Sequence, residues 1–101
     1  MKDVISPRSN KVDPVGDAVN TVGVGTLIIR PPEGYEWIIH NIYHSTDLTL
    51  SVVSPIATFD FETDPGPGVF AKYSFHMTNS FYIMAKSAGT IAADGIVSKT
   101  P

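Results

Sequence analysis

Turn-forming residues divide most of this sequence into short apolar segments, and no segment carries a sustained helical repeat. From residue 19 onward, breaks rich in Pro, Gly, Asn and Asp recur roughly every 10 to 14 residues. The segments between them are rich in Val, Ile, Thr, Phe and Tyr, which suit the pleated surface of a sheet. Their sequences are VNTVGVGTLIIR, YEWIIHNIYHS, LTLSVVS, IATFDFE, VFAKYSFHM, SFYIMAK and TIAADGIVSK.

Strands of this length and spacing predict an all-β fold. A chain of 101 residues is long enough for one domain around one core, and each sheet needs an opposing sheet to cover its apolar face. We therefore expect a single antiparallel β-sandwich or small barrel of about seven to eight short strands over residues 19–101. Turns are expected at residues 78–79 and 88–89, on either side of SFYIMAK.

Residues 1–18 lack this pattern and predict an extended N-terminal arm. The prolines fix φ and hold the residues before them in extended conformations, and the scattered charges cancel. The segment has too few apolar residues to fold alone, so it is either a free terminus or an arm that becomes ordered on a partner. The residues expected to contact a partner are Val4, Ile5, Pro7, Arg8, Val12, Pro14 and Val15.

Charge and composition argue against several classes of function. The net charge is −3 and the basic residues are not clustered, which is atypical of proteins that bind nucleic acid. The chain has no cysteine, so neither a disulfide framework nor a thiolate metal site is expected. It also has no apolar stretch typical of a signal peptide or membrane span, so we expect a protein made in the cytoplasm that does not bind membranes.

Two of the three histidines lie four positions apart in YEWIIHNIYHS, which raises the question of a metal site. In a regular strand His40 and His44 share one face but lie about 13 Å apart, too far to bind one zinc ion. The spacing from Gly34 to His40 resembles the first half of the metal motif of cupins. That motif then needs a second histidine at the position of Ile42, and its later half is also missing. We expect these histidines to belong to a structural strand, with no metal or other cofactor.

The acidic segment DFETDPG places three carboxylates at alternate positions, Asp60, Glu62 and Asp64. A calcium loop with this spacing needs glycine at its sixth position and glutamate at its twelfth, and here these positions are Pro65 and Ala71. We expect instead one solvated strand face that carries all three acids. No nucleophile motif or phosphate-binding loop occurs in the sequence, so an enzyme is not expected.

Several strands carry apolar residues at both odd and even positions. In the second segment Trp37 and Ile39 alternate with Ile38 and Ile42. Such a strand is either covered on both faces or contains a β-bulge near residues 40–41 that redirects Ile42. Across the chain the apolar surface exceeds what one small core needs, and the surplus predicts a subunit interface.

The order of these signals resembles a family of virion proteins. PPEGYEW is followed by IIHNIYHS, an acidic strand, an aromatic strand with HMTNSFYIMAKSAG, and a last strand with ADGIV. Over residues 20–101 this pattern is similar to head decoration (cement) proteins of tailed phages. The resemblance implies a jelly-roll-like β-sandwich, a homotrimer, the major capsid protein as partner, and a location on the capsid surface of the virion.

Two other functions stay open at this point. A receptor- or sugar-binding module of a tail or fibre would use an exposed Trp37 or Tyr35 to stack on a ligand. A small cupin-like metal-binding protein would use His40, His44 and His76.

Overall fold

The computed structural model describes residues 14–101, in which seven strands form one antiparallel sheet and no helix occurs. The strands are β1 (Ala18–Ile29), β2 (Glu36–His44), β3 (Leu48–Val53), β4 (Thr58–Asp64), β5 (Gly68–Phe70), β6 (Phe75–Thr78) and β7 (Tyr82–Lys99). The sheet is curled into half a barrel. The predicted all-β, antiparallel class is therefore confirmed. In these residues no helix exists that could cross a membrane.

The last strand, β7, is the centre of the sheet. It pairs along one edge with β1, and along the other edge with β3 in its first half and with β2 in its second half. The sheet continues from β3 to β4, and from β2 to β5 and β6. The sheet consequently has two halves, a β3 half and a β2 half, which share the long strands β1 and β7.

The sheet bends where these halves meet. In β1 the ladder to β7 is interrupted between Val24 and Thr26, and Gly25 between them has a positive φ of 80°. Across from it, residues 87–89 of β7 have no partner in this ladder. The turn predicted at residues 88–89 is wrong, because β7 continues through the bend as one strand. Pairing with β1 on both sides of the bend holds it in the sheet.

The link between β2 and β3 fixes the bend from the other side. The backbone N–H of Ser45 donates to the carbonyl of Thr90 (3.1 Å), and the backbone N–H of Thr90 donates to Ser45 Oγ (2.9 Å). The hydroxyls of Thr46 and Ser87 are hydrogen bonded at 2.6 Å, and Gly89 N–H donates to Thr46 Oγ1 (3.2 Å). These bonds tie residues 45–46 to the bent part of β7.

One hydrophobic core fills the concave side of the curled sheet, and both halves contribute to it. Its buried members are Val19, Leu27, Ile29, Ile39, Ile42, Leu48, Leu50, Phe70, Met77, Ile83, Ala85, Ile91, Ala93 and Val97. Tyr35, Trp37, Val52, Phe75 and Tyr82 are partly buried against this cluster. Burial of this apolar surface is the main favourable term for the fold.

A β-bulge at His40 explains why β2 is apolar at both odd and even positions. The ladder to β7 shifts between Ile39 and Asn41, so His40 is the extra residue. Ile39 and Ile42 are three positions apart, yet both are fully buried in the core. The bulge that was one of the two predicted explanations is confirmed. It places His40 on the exposed face and His44 on the core face, so the prediction that they share a face is wrong.

The same bulge divides a segment that was predicted to be one strand. VFAKYSFHM forms β5 and β6, which pair with β2 on either side of His40 and Asn41. Ile42 pairs with Phe70 and Ile39 pairs with Phe75, so the four residues 71–74 lie opposite only two residues of β2. This mismatch in length prevents a continuous ladder.

The bulge predicts a strict requirement for glycine opposite it. A Cβ on Gly95 would overlap the carbonyl oxygen of Ile38 and lie 2.7 Å from the Cα of Ile39, both of them backbone atoms. We expect Gly95→Ala to lower the free energy of unfolding by about 3 kcal/mol, measured by urea denaturation. Gly68→Ala is the matched control, because a Cβ there meets no atom within 4 Å. Equal stability of the two variants would contradict this account of the bulge.

Candidate functional site

An apolar cleft of about 410 Å³ lies at the open mouth of the half-barrel, between the ends of its two halves. Its size is in the range of pockets that bind small ligands or the side chains of a protein partner. The residues that line it are Val52, Phe61, Tyr73, Ser74, Phe75, His76, Met77, Phe81, Tyr82 and Ile83. The β3 half contributes the first two of these, and the rest come from β6, β7 and the residues between neighbouring strands.

A cluster of aromatic rings forms one wall of the cleft. Phe75 is at its centre, with ring centroids 5.8 Å from Phe61, 5.1 Å from Tyr73 and 5.9 Å from Phe70. These separations are typical of favourable aromatic pairs. Phe61 and Phe75 belong to different halves of the sheet, so their contact joins the two halves at the mouth. Phe61, Tyr73 and Phe81 are nevertheless exposed by 37%, 43% and 54%.

Tyr73 sits between this cluster and the charged residues beside the cleft. The Tyr73 hydroxyl is 3.5 Å from Glu62 Oε1. The other carboxylate oxygen of Glu62, Oε2, forms an ion pair with Lys72 Nζ at 3.6 Å. Desolvation and the negative charge of Glu62 raise the pKa of Tyr73 above its usual value. The phenol therefore stays neutral at physiological pH, and the aromatic wall carries no charge.

A second exposed apolar surface follows β1, which is an edge strand of the sheet described for residues 14–101. Its twelve residues contain no charged side chain and no proline. Val22, Val24 and Ile28 on its outer face are 57–74% exposed. Edge strands usually carry charges or prolines that prevent pairing with another chain, and β1 lacks these. The outer edge of β1 is therefore open to pairing with a strand of a partner.

The acidic strand β4 differs from its prediction. The ladder between β3 and β4 shifts between Leu50 and Ser51, with Glu62 opposite Leu50 and Asp60 opposite Ser51. Because opposite residues share a face, Glu62 lies on the core face and Asp60 on the outer face. The prediction of one solvated face for all three acids is wrong for this reason.

Each of the three acids has its own partner. Asp60 accepts hydrogen bonds from Ser51 Oγ and from Lys86 Nζ (3.3 Å), and these two bonds lower its pKa, that from Ser51 most strongly. Glu62 contacts Lys72 and Tyr73 as described. Asp64 lies 2.8 Å from His44 Nε2. Asp60, Glu62 and Asp64 therefore have three different sets of partners.

The three histidines occupy three separate environments. His40 Nδ1 is 3.1 Å from Ser74 Oγ at the cleft, and His76 Nε2 is 2.8 Å from Glu36 Oε1 on the surface. His44 is buried, and its Nδ1 donates to the carbonyl of Thr46 (2.7 Å) while its Nε2 contacts Asp64. Within residues 14–101 no three His, Cys, Asp or Glu side chains are grouped as metal ligands. The contacts of His44 join the end of β2 to Thr46 and to Asp64 of β4.

A hydrogen-bonded group around Asp94 lies on the outer face of the β2 half. Tyr43 Oη donates to Asp94 Oδ2 (2.7 Å) and Asn41 Nδ2 donates to Oδ1 (2.9 Å). The bond from Tyr43 and then that from Asn41 hold the pKa of Asp94 below its usual value. The same bond raises the pKa of Tyr43. No local pattern in the sequence indicates this group, because its members are brought together only by the pairing of Asn41 with Asp94 across two strands.

The residues proposed from the sequence to bind partners or ligands are placed as follows. Val4, Ile5, Pro7, Arg8 and Val12 lie outside the described residues. Pro14 and Val15 lie on the surface just before β1, and Gly16 N–H donates to the carbonyl of Val97 (2.7 Å). Trp37 and Tyr35 are partly buried against the core, so neither ring is fully presented to solvent.

The chain matches no protein-family model, and a search of curated proteins returns no match.

The contacts of His44 predict a structural cost for its removal. His44→Ala leaves a buried cavity and removes the hydrogen-bond donor of the Thr46 carbonyl. We therefore expect a loss of about 2–3 kcal/mol in the free energy of unfolding. Urea denaturation measures it. The control is His40→Ala, an exposed position where a change within about 0.5 kcal/mol is expected. A larger loss at His40 than at His44 would contradict this assignment.

The depressed pKa of Asp94 predicts a pH dependence of stability. Because its pKa is lower in the folded state, Asp94 stabilises the fold above the ordinary carboxyl pKa of about 3.9, and this contribution is lost as the pH falls through the folded value. We expect Tm to fall less steeply for Asp94→Asn than for the unmodified chain between about pH 5 and about pH 2. Tyr43→Phe removes the strongest cause of the shift and should flatten the curve in the same direction. Unchanged slopes in both variants would rule out this role of Asp94.

Proposed function

We propose that this chain is a structural protein of a tailed-phage virion, which binds the outer surface of the capsid and bridges capsid subunits. The observation that carries the proposal is the large amount of apolar surface exposed outside the core, at the mouth of the half-barrel and along β1. Exposed apolar surface of this extent is typical of proteins that bind other proteins. The resemblance of residues 20–101 to decoration proteins supports the same function.

The curled sheet is compatible with the finer fold that this function implies. In a jelly-roll-like sandwich two layers of strands enclose one core. The β3 half and the β2 half contribute to one core in the same manner, and the bend between them brings Phe61 against Phe75. We propose that the two halves act as the two layers of such a sandwich.

The uncharged edge of β1 supports the proposed mode of binding. Addition of a strand to an open sheet edge gives affinity through main-chain hydrogen bonds and specificity through alternate side chains. The major capsid protein would supply that strand, or would receive the N-terminal arm of this chain as one. A homotrimer would make several such contacts at once, and this raises the effective affinity without any single strong site.

Exposed rings at the cleft favour a second function, a sugar-binding module of the virion. Tyr73 and Phe81 are both about half exposed and lie on the same cleft. Rings in this position can stack on a sugar face. Titration with a panel of host glycans tests it, since Phe81→Ala should abolish a binding signal that comes from the cleft.

The arm gives the sharpest test of capsid binding. We expect deletion of residues 2–15 to reduce co-sedimentation with capsids of the same virus by tenfold or more, because several anchors are lost together. The fold should persist, since Pro14 and Val15 are exposed and precede β1, and the bond from Asp17 N–H to the Pro14 carbonyl lies outside the sheet. Circular dichroism of the shortened chain is the control for folding.

Two results would contradict parts of the proposal. Undiminished binding by the shortened chain would exclude the arm as a capsid contact. Failure of the full chain to bind these capsids under any condition of salt and pH would exclude the decoration function itself.

A further inference from the structure

The tip of the hairpin between β3 and β4 presents a single large apolar side chain to solvent. Ile56 is 93% exposed, the highest value among the large hydrophobic residues of the described chain. The four residues of the tip, Ser-Pro-Ile-Ala, carry no charge. A solitary exposed side chain of this kind is ordinary on a protein surface, so its meaning depends on how it is held and on what it fits.

The tip is held in one conformation. Ser54 N–H donates to the carbonyl of Ala57 (2.9 Å), and Ser54 Oγ lies 3.1 Å from that carbonyl and 3.3 Å from Ala57 N. Pro55 fixes its own φ beside Ile56. Because the turn is already ordered, docking of Ile56 would cost little conformational entropy. The tip is thus a rigid apolar projection.

The cleft at the mouth of the half-barrel is a matching apolar depression. Its volume of about 410 Å³ has room for an isoleucine side chain together with the neighbouring proline. Val52, two residues before the hairpin tip, lines the cleft, whereas Ile56 is not among the lining residues and stays exposed. The cleft of each molecule is therefore left open by its own hairpin.

We propose that the hairpin tip of one copy of this chain docks in the cleft of the next copy. Every molecule carries one tip and one cleft, and the contact joins these two unlike surfaces, so it is head-to-tail. When such contacts close into a ring, every tip and every cleft is occupied and no apolar surface of either kind remains. The inference rests on the self-association in the proposed function and specifies its interface, but it does not depend on capsid binding.

The electrostatics of the two surfaces favour a second copy over a charged partner. The tip carries no charge, and the aromatic wall of the cleft is neutral since Tyr73 keeps its proton. Near the cleft Glu62 pairs with Lys72 and His76 with Glu36. Arg30, whose guanidinium lies 4.6 Å from the centroid of the Tyr82 ring, donates to the carbonyl of Asn79. A neutral projection enters such a site without leaving any charge buried and unpaired.

The first test measures the mass of the full chain in solution by light scattering. We expect an oligomer, with a trimer at three times the 10.9 kDa chain mass. Ile56→Glu should weaken each contact by about tenfold to a hundredfold or more and give monomers. Phe81→Glu, at a half-exposed position of the cleft wall, should have the same effect while the chain stays folded by circular dichroism.

Mixing the two variants separates a head-to-tail contact from a symmetric one. The Ile56→Glu chain keeps an intact cleft and the Phe81→Glu chain keeps an intact tip, so an equimolar mixture should form a heterodimer that cannot grow further. Val22→Glu is the matched control, because it places the same charge on an exposed valine of β1 and should leave the oligomer unchanged.

Cysteine pairing locates the contact directly, since the chain has no native cysteine. An oxidised mixture of Ile56→Cys and Ser74→Cys chains should give an intermolecular disulfide, and neither chain alone should do so.

A monomeric wild-type chain at the highest soluble concentration would overturn the inference. So would loss of the oligomer in Val22→Glu but not in Ile56→Glu, which would assign self-association to β1. A normal oligomer that fails to bind capsids would leave the tip-to-cleft contact standing and reject only the proposed function.

Discussion

A single sheet can enclose a core only if all the strands that cross it bend at the same level. In this protein β1 bends at Gly25, β7 bends at residues 87–89, and the chain bends between β2 and β3 at residues 45–47. The approach at this level is close, because a Cβ on Gly89 would overlap the hydroxyl of Ser45. The hydrogen bonds of Ser45 and Thr46 then hold β7 in place. The shared core, the contact of Phe61 with Phe75 and the cleft at the mouth all depend on this bend.

The sequence was most informative where its pattern reflects burial directly. Runs of β-branched and aromatic residues between turn signals predicted the strand class and most strand positions. The apolar residues at both odd and even positions of β2 suggested a bulge near residues 40–41 as one of two explanations, and burial of both Ile39 and Ile42 in the core decides for the bulge. The local sequence pattern was therefore sufficient to predict the all-β class and to suggest the β-bulge in β2.

The features that sequence could not predict depend on pairing between distant segments. Ala88 and Gly89 read as a turn, but pairing with β1 keeps them in a continuous strand. Asp60, Glu62 and Asp64 read as one face, but a bulge opposite β3 divides them. The cleft has residues from 52 to 83, and the group around Asp94 joins β2 and β7. No local repeat encodes such arrangements. The arm residues before Pro14 lie outside the described structure and stay a prediction.

The hairpin tip and β1 carry no charged side chain of their own. Charged side chains elsewhere on the sheet are paired, Lys86 with Asp60, Lys72 with Glu62, and Lys99 with Glu36. Contacts made through the neutral surfaces lack a long-range electrostatic component. Association through them should therefore depend little on salt, in contrast to binding that rests on charge steering.

The position of β7 also has a consequence for the order of folding. β7 follows every other strand along the chain, yet it lies between β1 and β2 and between β1 and β3. Until β7 has been synthesised, β1 lacks the strand with which it pairs in residues 14–101, and β2 and β3 lack their central neighbour. The chain emerging from the ribosome can form local hairpins such as β3–β4, but the native core waits for its last strand. Folding should accordingly be slow for a chain of this size, with the apolar β1 exposed in the meantime to other chains and to chaperones.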